Sequence, residues 1–431
     1  MFTKNASRGL LFVLSALFLT LSCTPHSEKV RKAVFIIVDG IPADVYERVE
    51  MPATREIAAA GSYGRQYVGG SVGRYDESPT ISAVGYTDLL TATWVNKHNV
   101  PGNHHLNPNY NYWTVFRIAK EQDRPVRTGL FSSWTDNRTV LLGAGKPETD
   151  SLVIDYVADG YDLDRDRFPD RSHGLRVWDI DETVSKEAAS CIRTEAPDLS
   201  WVYLWYTDVA GHNYGSGEAF DDAVRLADKQ VERIWEAVKY RESHFNEEWM
   251  VVVTTDHGRT YDGYGHGGQS LRERTTWVAT NQKANERLSG GKSAITDITP
   301  SLCRFLGFTI PRDLRFEQDG VSFYGTVDLQ ELDVFPYDST VVLKWEAIRK
   351  DAPVEIWASA TNHFKDGGKD DWINMGQARS GDESFTVNLS NLPESDFFKF
   401  VVETPHTTLN RWLYSKPKEY AHFKLLEGLN D

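Results

Sequence analysis

The chain has 431 residues, of which 40% are hydrophobic and 12% aromatic, and this length favours two domains over one. Its formal net charge of −15 excludes duplex DNA or RNA as a partner held by the general field of the protein, because phosphate backbones require an excess of Lys and Arg. A small phosphorylated substrate is compatible with this charge if bound cations supply positive charge locally.

The first residues predict an export signal. Lys4 and Arg8 precede an apolar run at 9–21, which is shorter than the ~20 residues that a membrane-spanning helix needs. Cys23 follows the run after a small residue, and this junction resembles a bacterial lipoprotein signal. We therefore expect residues 1–23 to be a lipoprotein-type signal peptide, with a lipid anchor on Cys23 and a periplasmic, outer-membrane or cell-surface location in a bacterium. An ordinary signal peptide cleaved nearby is the alternative.

Residues from about 30 to 325 alternate between strand-like and helix-like segments. Unbroken apolar runs are typical of strands buried on both faces of a parallel sheet. Three such runs occupy residues 33–38, 201–206 and 250–253. Between them, an apolar stripe with a helical period predicts a helix over 220–240. The pattern predicts an α/β domain over 30–325, with a mainly parallel central sheet flanked by helices.

The pattern changes after about residue 324. Short strand candidates, separated by Gly, Asp, Asn and Pro clusters, lie at residues 339–345, 354–358, 384–389 and 397–402. They predict a small all-β sandwich domain over 335–425. Its Trp residues are either a carbohydrate-binding surface or, as we favour, core side chains that pack against the first domain.

Each of the three apolar runs leads into an aspartate: Asp39, Asp208 and Asp256. Ligands of open parallel sheets bind beyond the carboxyl ends of the strands, so we expect these carboxylates to converge at one edge. A lone Asp after a strand is commonly a helix cap or a turn residue, but three of them are unusual. Clustered carboxylates repel one another and lose their ionisation unless cations compensate. The sequence therefore predicts a cation site.

Three histidines accompany these aspartates. His212 lies four residues after Asp208, His257 is adjacent to Asp256, and His266 lies between glycines. Mixed imidazole and carboxylate ligands favour zinc or a similar transition metal over magnesium or calcium. Three His and three Asp exceed one tetrahedral site and are about right for two.

A candidate nucleophile lies between the first two of these strands. Pro79 and the β-branched residues after it predict an extended segment, and Ser82 begins a short helical pattern. At a helix N-terminus, the backbone N–H groups favour an anion such as an alkoxide or a phosphoryl oxygen. Spacing alone leaves two roles open for Ser82, nucleophile and helix cap. Thr80 is the alternative hydroxyl.

Together these residues resemble the motifs of the alkaline phosphatase superfamily, and most closely its type I phosphodiesterase/nucleotide pyrophosphatase branch. The matching positions are Asp39, 79–82, 208–212, 256–258 and His266, with the register continuing through Thr91, His98 and Asn103. The resemblance implies that Ser82 is the nucleophile. It assigns one metal to Asp39, Ser82, Asp256 and His257, and the other to Asp208, His212 and His266. Gly85 and Ala92 depart from the branch, which has Asn and Gly there, so the superfamily is indicated more firmly than the branch.

The resemblance implies a zinc-dependent hydrolase of phosphate esters, of the phosphodiester or pyrophosphate type. Two Zn²⁺ ions, or other divalent transition metals, would activate Ser82, and a covalent phosphoseryl intermediate would form. A phosphomonoesterase on the same scaffold is the first alternative, and a non-catalytic, glycan-binding surface lipoprotein is the second. A sulfatase is disfavoured because Ser82 is not followed by the X-Pro-X-Arg sequence of that branch.

The remaining polar and thiol side chains receive structural interpretations. Solvated surface charges, in preference to substrate ligands, are expected at Arg74, Lys97 and Arg259. The acidic segment 162–170 resembles the start of a calcium loop but lacks its Gly and its Glu, which favours a solvated loop. Cys191 and Cys303 lie in apolar helical patterns and are expected to be buried free thiols.

Overall fold

The computed structural model describes residues 1–2 and 28–414. The predicted signal peptide and Cys23 therefore lie outside the described residues, apart from the first two positions. Within the described part of the chain, no helix combines the length and the apolar character that crossing a bilayer requires.

A seven-stranded central sheet organises the first domain. Its strands are β1 (Val30–Val38), β2 (Ser62–Tyr67), β3 (Thr128–Ser132), β4 (Tyr156–Ala158), β5 (Leu199–Leu204), β6 (Glu247–Thr254) and β7 (Thr275–Thr280). The spatial order is β2-β7-β6-β1-β5-β3-β4. Strands β6, β1, β5, β3 and β4 are parallel, and β7 and β2 continue the sheet in antiparallel pairs. The mainly parallel sheet predicted from the sequence is confirmed.

Helices cover both faces of this sheet. They are α1 (Ala43–Arg48), α2 (Pro52–Ala60), α3 (Ser82–Thr91), α4 (Val95–His98), α5 (Val115–Lys120), α6 (Leu175–Thr194), α7 (Tyr206–Tyr214), α8 (Glu218–His244), α9 (Leu271–Arg274), α10 (Glu286–Ser289), α11 (Ile298–Leu306) and α12 (Arg312–Arg315). Short 3₁₀ or π-helical turns occupy Asn137–Leu141, Pro147–Thr149, Ser172–Gly174, Ile295–Asp297, His363–Asp366, Ser380–Asp382 and Leu389–Asn391. Alternate residues of β1 explain the two layers, because Val34 and Ile36 pack towards α6 and α8 whereas Phe35 and Ile37 pack towards α3 and α11.

The three predicted inner strands lie side by side. Ala33 of β1 pairs with Leu199 of β5 on one side and with Met250 of β6 on the other. The prediction for 201–206 was too long, because β5 ends at Leu204 and α7 begins two residues later. Thiol predictions are partly confirmed: Cys303 is buried and Cys191 is half-buried, and both are free.

The second domain is an antiparallel β-sandwich with its own core. Its strands are β8 (Leu329–Tyr337), β9 (Thr340–Ala347), β10 (Pro353–Ser359), β11 (Ile373–Arg379), β12 (Ser384–Asn388), β13 (Phe397–Glu403) and β14 (Thr408–Tyr414). One sheet has the order β11-β10-β13-β14 and the other β12-β9-β8. The sequence pattern missed β8, β11 and β14. The first two have few fully buried positions, and polar residues interrupt the apolar run of the third.

Trp412 and two buried lysines join the two domains. The Trp412 ring stacks on Tyr75 of the first domain, with 5.8 Å between centroids. The Nζ atoms of Lys97 and Lys399 lie 5.2 Å and 5.1 Å from the same ring centroid. The predicted packing of Trp side chains against the first domain is therefore correct for Trp412. The expectation of a solvated Lys97 is wrong, because Lys97 is fully buried with its Nζ 2.6 Å from Asp319 Oδ1.

Candidate functional site

The carboxyl ends of the inner strands bring the predicted site residues together. Asp39 directly follows β1, and Asp256 lies two residues beyond the end of β6. Asp208 lies in the first turn of α7, which follows β5. His212 lies one turn further along α7, so the i,i+4 spacing places it on the same helical face as Asp208. The predicted convergence of three carboxylates at one edge of the sheet is therefore observed.

We name the first group of side chains the inner cluster: Asp39, Ser82, Asp256 and His257. His257 Nε2 lies 3.4 Å from Asp39 Oδ1 and 3.4 Å from Asp256 Oδ2. Ser82 is the first residue of α3, and its Oγ lies 3.2 Å from His257 Nε2. All four residues are buried. The hydroxyl at the helix N-terminus thus lies within hydrogen-bond distance of the imidazole of this cluster.

We name the second group the outer cluster: Asp208, His212 and His266. His212 Nε2 lies 3.3 Å, and His266 Nε2 3.6 Å, from Asp208 Oδ1. The side chain of His212 is 47% exposed, so this cluster faces solvent. The rings of His257 and His266 stack with 3.7 Å between centroids. The two clusters are therefore contiguous, and the His257 imidazole is close enough to the side chains of each cluster to share a metal ion with them.

The protonation behaviour of the clusters fits a bound divalent cation. Asp39 Oδ1 and Asp256 Oδ2 are buried and have no hydrogen-bond partner among the described residues. Burial, with repulsion between the carboxylates, raises the pKa of Asp39 well above its ordinary value and that of Asp256 to about 7. Burial lowers the pKa of both His257 and His266, which keeps these imidazoles neutral. Unpartnered carboxylate oxygens beside neutral imidazoles form a donor set suited to a transition metal.

Two tyrosines that the sequence analysis overlooked hold Asp39 in place. The hydroxyl groups of Tyr86 and Tyr203 both donate to Asp39 Oδ2. Tyr86 lies one turn after Ser82 on α3, so the helix that begins with the serine is tied directly to an inner-cluster carboxylate. The four-residue spacing from Ser82 was the available signal for Tyr86, whereas nothing near Tyr203 in the sequence indicated this role.

Thr80 supports the loop that carries His266. Its Oγ1 donates to Gly268 O and accepts from Gly267 N, at 2.8 Å and 2.9 Å. Its carbonyl oxygen lies 2.9 Å from His266 Nδ1. Because the Thr80 hydroxyl is engaged by the backbone, Ser82 is the better-placed hydroxyl of the two candidates.

The amide of Asn103 lies beside the N-terminus of α3, close to Ser82. Its Oδ1 accepts from Ala83 N at 2.9 Å, and the residue is exposed. Gly85 has no room for a side chain, because a Cβ there would lie 2.6 Å from the backbone oxygen of Asp256. Close packing therefore requires Gly at position 85, where the branch has Asn. In this chain, Asn103 places an amide group near Ser82 from a different segment.

Three charged features of the sequence have different outcomes. Arg259, expected to be solvated, is fully buried with its Nη1 2.6 Å from Asp208 Oδ1. Arg74 is exposed as expected and pairs with Asp333 at 3.4 Å. In segment 162–170, the acidic side chains contact Thr135, Arg165 and the backbone of Arg167, and the potential metal-binding groups among the described residues do not include this segment.

Asp181 fixes the start of α7 and hence the outer cluster. Its carboxylate accepts from Trp205 N at 3.1 Å and Tyr206 N at 2.7 Å, which caps α7 from a neighbouring helix. Its Oδ1 also accepts from Ser133 Oγ at 2.5 Å. Burial raises the pKa of Asp181 from 3.8 to about 7 despite these hydrogen bonds.

Replacing Asp181 by asparagine is expected to remove a pH dependence of stability. Between pH 4 and pH 7 the folded protein holds a proton on Asp181 that the unfolded chain has released, so the free energy of unfolding falls as the pH rises. The full effect is about 4 kcal/mol at the buried site. Urea unfolding at pH 4.5, 6 and 8 should show the difference in unfolding free energy between wild type and Asp181→Asn changing by about 3 kcal/mol, the part of the effect that falls within this pH range. Glu187→Gln, at an exposed position of α6, is the control and should show no such shift.

A cavity between the two domains lies away from these clusters. It measures about 740 Å³ and is formed by residues of α11 and of the β13–β14 turn. None of the predicted site residues lines it. The candidate site is therefore the pair of clusters at the edge of the central sheet, and not this cavity.

A family of known proteins matches more than half of the chain. Residues 33–282 match the family described as type I phosphodiesterase/nucleotide pyrophosphatase. No sequence among the curated proteins matches the chain.

Several solved structures are similar to it. A Bacteroides thetaiotaomicron protein assigned as a sulfatase has 12% identity and a TM-score of 0.47, over 80% of this chain and 86% of that one. The murine ectonucleotide pyrophosphatase/phosphodiesterase 5 has 13% identity and a TM-score of 0.44, over 65% and 96%. A phosphonoacetate hydrolase from Sinorhizobium meliloti has 16% identity and a TM-score of 0.38, over 55% and 59%. The family match confirms the resemblance seen in the motifs, and the chain belongs to the type I phosphodiesterase/nucleotide pyrophosphatase family.

Proposed function

We propose that this protein is a zinc-dependent hydrolase of phosphate diesters or pyrophosphates that uses Ser82 as its nucleophile. The observation that carries the proposal is the position of Ser82 Oγ, 3.2 Å from His257 Nε2 at the N-terminus of α3. The same imidazole lies beside two buried carboxylates, each with one oxygen that has no hydrogen-bond partner among the described residues. The family match supports hydrolysis of the phosphodiester type.

The inner and outer clusters would each hold one divalent cation. The inner cluster offers two carboxylates, an imidazole and the Ser82 oxygen, and the outer cluster offers one carboxylate and two imidazoles. Two cations, when bound, would favour ionisation of the Ser82 hydroxyl and neutralise the negative charge of the phosphoryl group. Zinc fits this mixed oxygen and nitrogen ligand set better than magnesium or calcium does.

The residues of the chain carry the covalent steps. The Ser82 oxygen attacks phosphorus, a bond from Oγ to phosphorus forms, and the ester bond on the opposite side breaks to release an alcohol that takes up a proton. Water then attacks the phosphoserine, the bond from phosphorus to Oγ breaks, and Ser82 regains its proton. The N-terminus of α3, through its helix dipole, favours the negative charge on the phosphoryl oxygens.

Asn103 would donate its side-chain N–H to a phosphoryl oxygen. Its Oδ1 is fixed by Ala83 N, which leaves the Nδ2 donor of an exposed amide near Ser82. We expect Asn103→Ala to lower kcat by about 10²-fold, the usual effect of removing one donor to a developing negative charge. Steady-state kinetics of the variant beside Asn107→Ala, an exposed asparagine of the same loop, checks this. A kcat for Asn103→Ala within twofold of the control would remove Asn103 from the mechanism.

Turnover of three p-nitrophenyl substrates tests the proposed reaction. Zinc-loaded protein should hydrolyse bis-p-nitrophenyl phosphate faster than p-nitrophenyl phosphate, and p-nitrophenyl sulfate more slowly than either. A preference for the monoester would favour the phosphomonoesterase alternative. Retained zinc without turnover of any ester would favour a non-catalytic surface protein.

The β-sandwich offers little support for that non-catalytic alternative. Trp345 and Trp412 are buried, and the half-buried Trp357 and Trp372 lie against Phe316 of the first domain, with 6.2 Å and 5.0 Å between ring centroids. We propose that this domain braces the catalytic domain.

We further propose that the protein is exported and anchored by lipid on Cys23, and that it meets a small phosphorylated substrate outside the cytoplasm. The charged residues and the short apolar run before Cys23 support this location. Cell fractionation of wild type and Cys23→Ser tests the anchor. Wild type should be found in the membrane fraction, and the variant should not be retained there.

A further inference from the structure

We infer that Arg259 makes the two metal positions unequal, so that the inner cluster binds its cation tightly while the outer cluster binds its cation weakly and exchangeably. The inference deepens the proposed function and rests on its two-metal site. It concerns an arginine that the sequence analysis placed on the surface.

The guanidinium of Arg259 is built into the wall of the outer cluster. Its Nη1 lies 2.6 Å from Asp208 Oδ1, the oxygen that also faces both imidazoles of that cluster. Its other nitrogens donate to the backbone, with Nε 2.5 Å from Gly263 O and Nη2 3.2 Å from Tyr264 O. The side chain is 1% exposed. These contacts join Asp208 to the loop that leads to His266.

The packing leaves the guanidinium no room to move away from Asp208. It lies against α7 at Gly211, where an added Cβ would be 2.4 Å from Arg259 Cζ. Only glycine permits this approach, because any side chain at that position would collide with the guanidinium plane. The positive charge beside the outer cluster is therefore fixed by the fold.

The two clusters differ in formal charge. The inner cluster has two carboxylates, Asp39 and Asp256, and no arginine or lysine contacts either of them among the described residues. The outer cluster has one carboxylate, and Arg259 cancels its charge because an arginine keeps its proton in proteins. A divalent cation is therefore attracted by two negative charges at one position and by none at the other.

The hydrogen bonds show the same asymmetry. Asp39 Oδ1 and Asp256 Oδ2 of the inner cluster are buried without a hydrogen-bond partner among the described residues, and no atom of the outer cluster shares this state. In the outer cluster, Asp208 is already satisfied by Arg259. The inner cluster needs a cation to compensate buried charge, whereas the outer cluster is stable without one.

Zinc titration of the metal-free, full-length protein tests the inference. Competition with a chromophoric chelator should show two binding steps whose affinities differ by at least about 100-fold, since a unit charge within a few ångströms of a dication in a buried site is worth several powers of ten. His212→Ala should abolish the weaker step and leave the tighter one, which assigns the weaker step to the outer cluster.

Two substitutions at Arg259 then separate charge from packing. Arg259→Gln should tighten the weaker step by at least about tenfold, and Arg259→Lys, which keeps the charge, should preserve the wild-type gap. Arg287→Gln, at a buried arginine paired with Asp297, is the matched control and should leave both steps unchanged. Circular dichroism confirms folding of each variant. If Arg259→Gln does not fold, two measurements still decide whether the two positions are unequal. The first is the difference in zinc affinity between the two steps in wild type and in Arg259→Lys. The second is the loss of the weaker step in His212→Ala.

Equal affinities in wild type, or an unchanged gap in folded Arg259→Gln, would overturn the inference. The titration needs no substrate, so its outcome is separate from that of the proposed function. Unequal zinc binding without turnover of any ester would contradict the function alone, and turnover with two equal zinc steps would contradict the role of Arg259 alone.

Discussion

Replacing Ser82 by alanine is expected to lower kcat for phosphate-ester hydrolysis by at least about three orders of magnitude, because the attacking oxygen is lost. Both proposed metal positions should still bind zinc, since the other side chains of the inner cluster, Asp39, Asp256 and His257, are buried just beyond the ends of the paired strands β1 and β6. Steady-state kinetics together with metal analysis of the purified variant measures both quantities.

Thr87→Ala is the matched control for the serine variant. Thr87 also lies on α3, but its hydroxyl donates to the backbone oxygen of Ala83 and contacts neither cluster. We expect its kcat to stay close to that of wild type. Full activity in Ser82→Ala would transfer the role of nucleophile to Thr80, and loss of zinc from that variant would make its inactivity uninformative about chemistry and assign Ser82 a structural part in the metal site.

Replacing Lys399 by methionine is expected to lower the free energy of unfolding by about 3–5 kcal/mol. The Lys399 ammonium lies 2.5 Å from Glu317 Oε1 and 2.7 Å from Asp370 Oδ2, and all three side chains are 1% exposed. Methionine keeps most of the apolar stem but leaves two carboxylates buried without their cation, and an unpaired buried charge is costly. Thermal and urea unfolding of the full-length chain measure the change.

Lys350→Met controls for the loss of a lysine from the same domain, because Lys350 is exposed. Its effect should stay within about 0.5 kcal/mol, as is usual for surface substitutions. A change below 1 kcal/mol in Lys399→Met would show that the charge network does not join the domains. A decrease of about 3–5 kcal/mol in the free energy of unfolding would show that the buried charges around Lys399 stabilise the contact between the domains.

The inner cluster could be predicted because its signals are local. A buried strand that runs into an aspartate is visible in a few consecutive residues, as at Asp39 and Asp256, and the parallel register of β1 and β6 then brings the two together. Asp208 was also placed correctly at this edge of the sheet, although it does not lie directly at the end of a strand. The residue lies in α7, and the i,i+4 spacing to His212 that suggested a metal site is a property of that helix.

The residues that support the site could not be predicted because their partners are distant in sequence. Arg259 lies 51 positions from Asp208, and Tyr203 lies 164 positions from Asp39. From the sequence alone, a charged side chain such as Lys97 is expected to be solvated. In the folded protein it is buried because it pairs with Asp319, which lies 222 positions away in the sequence. Base rates of exposure are a poor guide for such residues, because burial of a charge is decided by a single tertiary contact.

Zinc anomalous diffraction from a crystal grown with zinc tests the central claim most directly. The account predicts two anomalous peaks at the carboxyl edge of the central sheet. One should be bounded by Asp39, Asp256, His257 and the Ser82 oxygen, and the other by Asp208, His212 and His266. Absence of a peak at the inner cluster, or zinc bound only at other positions of the chain, would contradict the metal-dependent mechanism proposed for this protein.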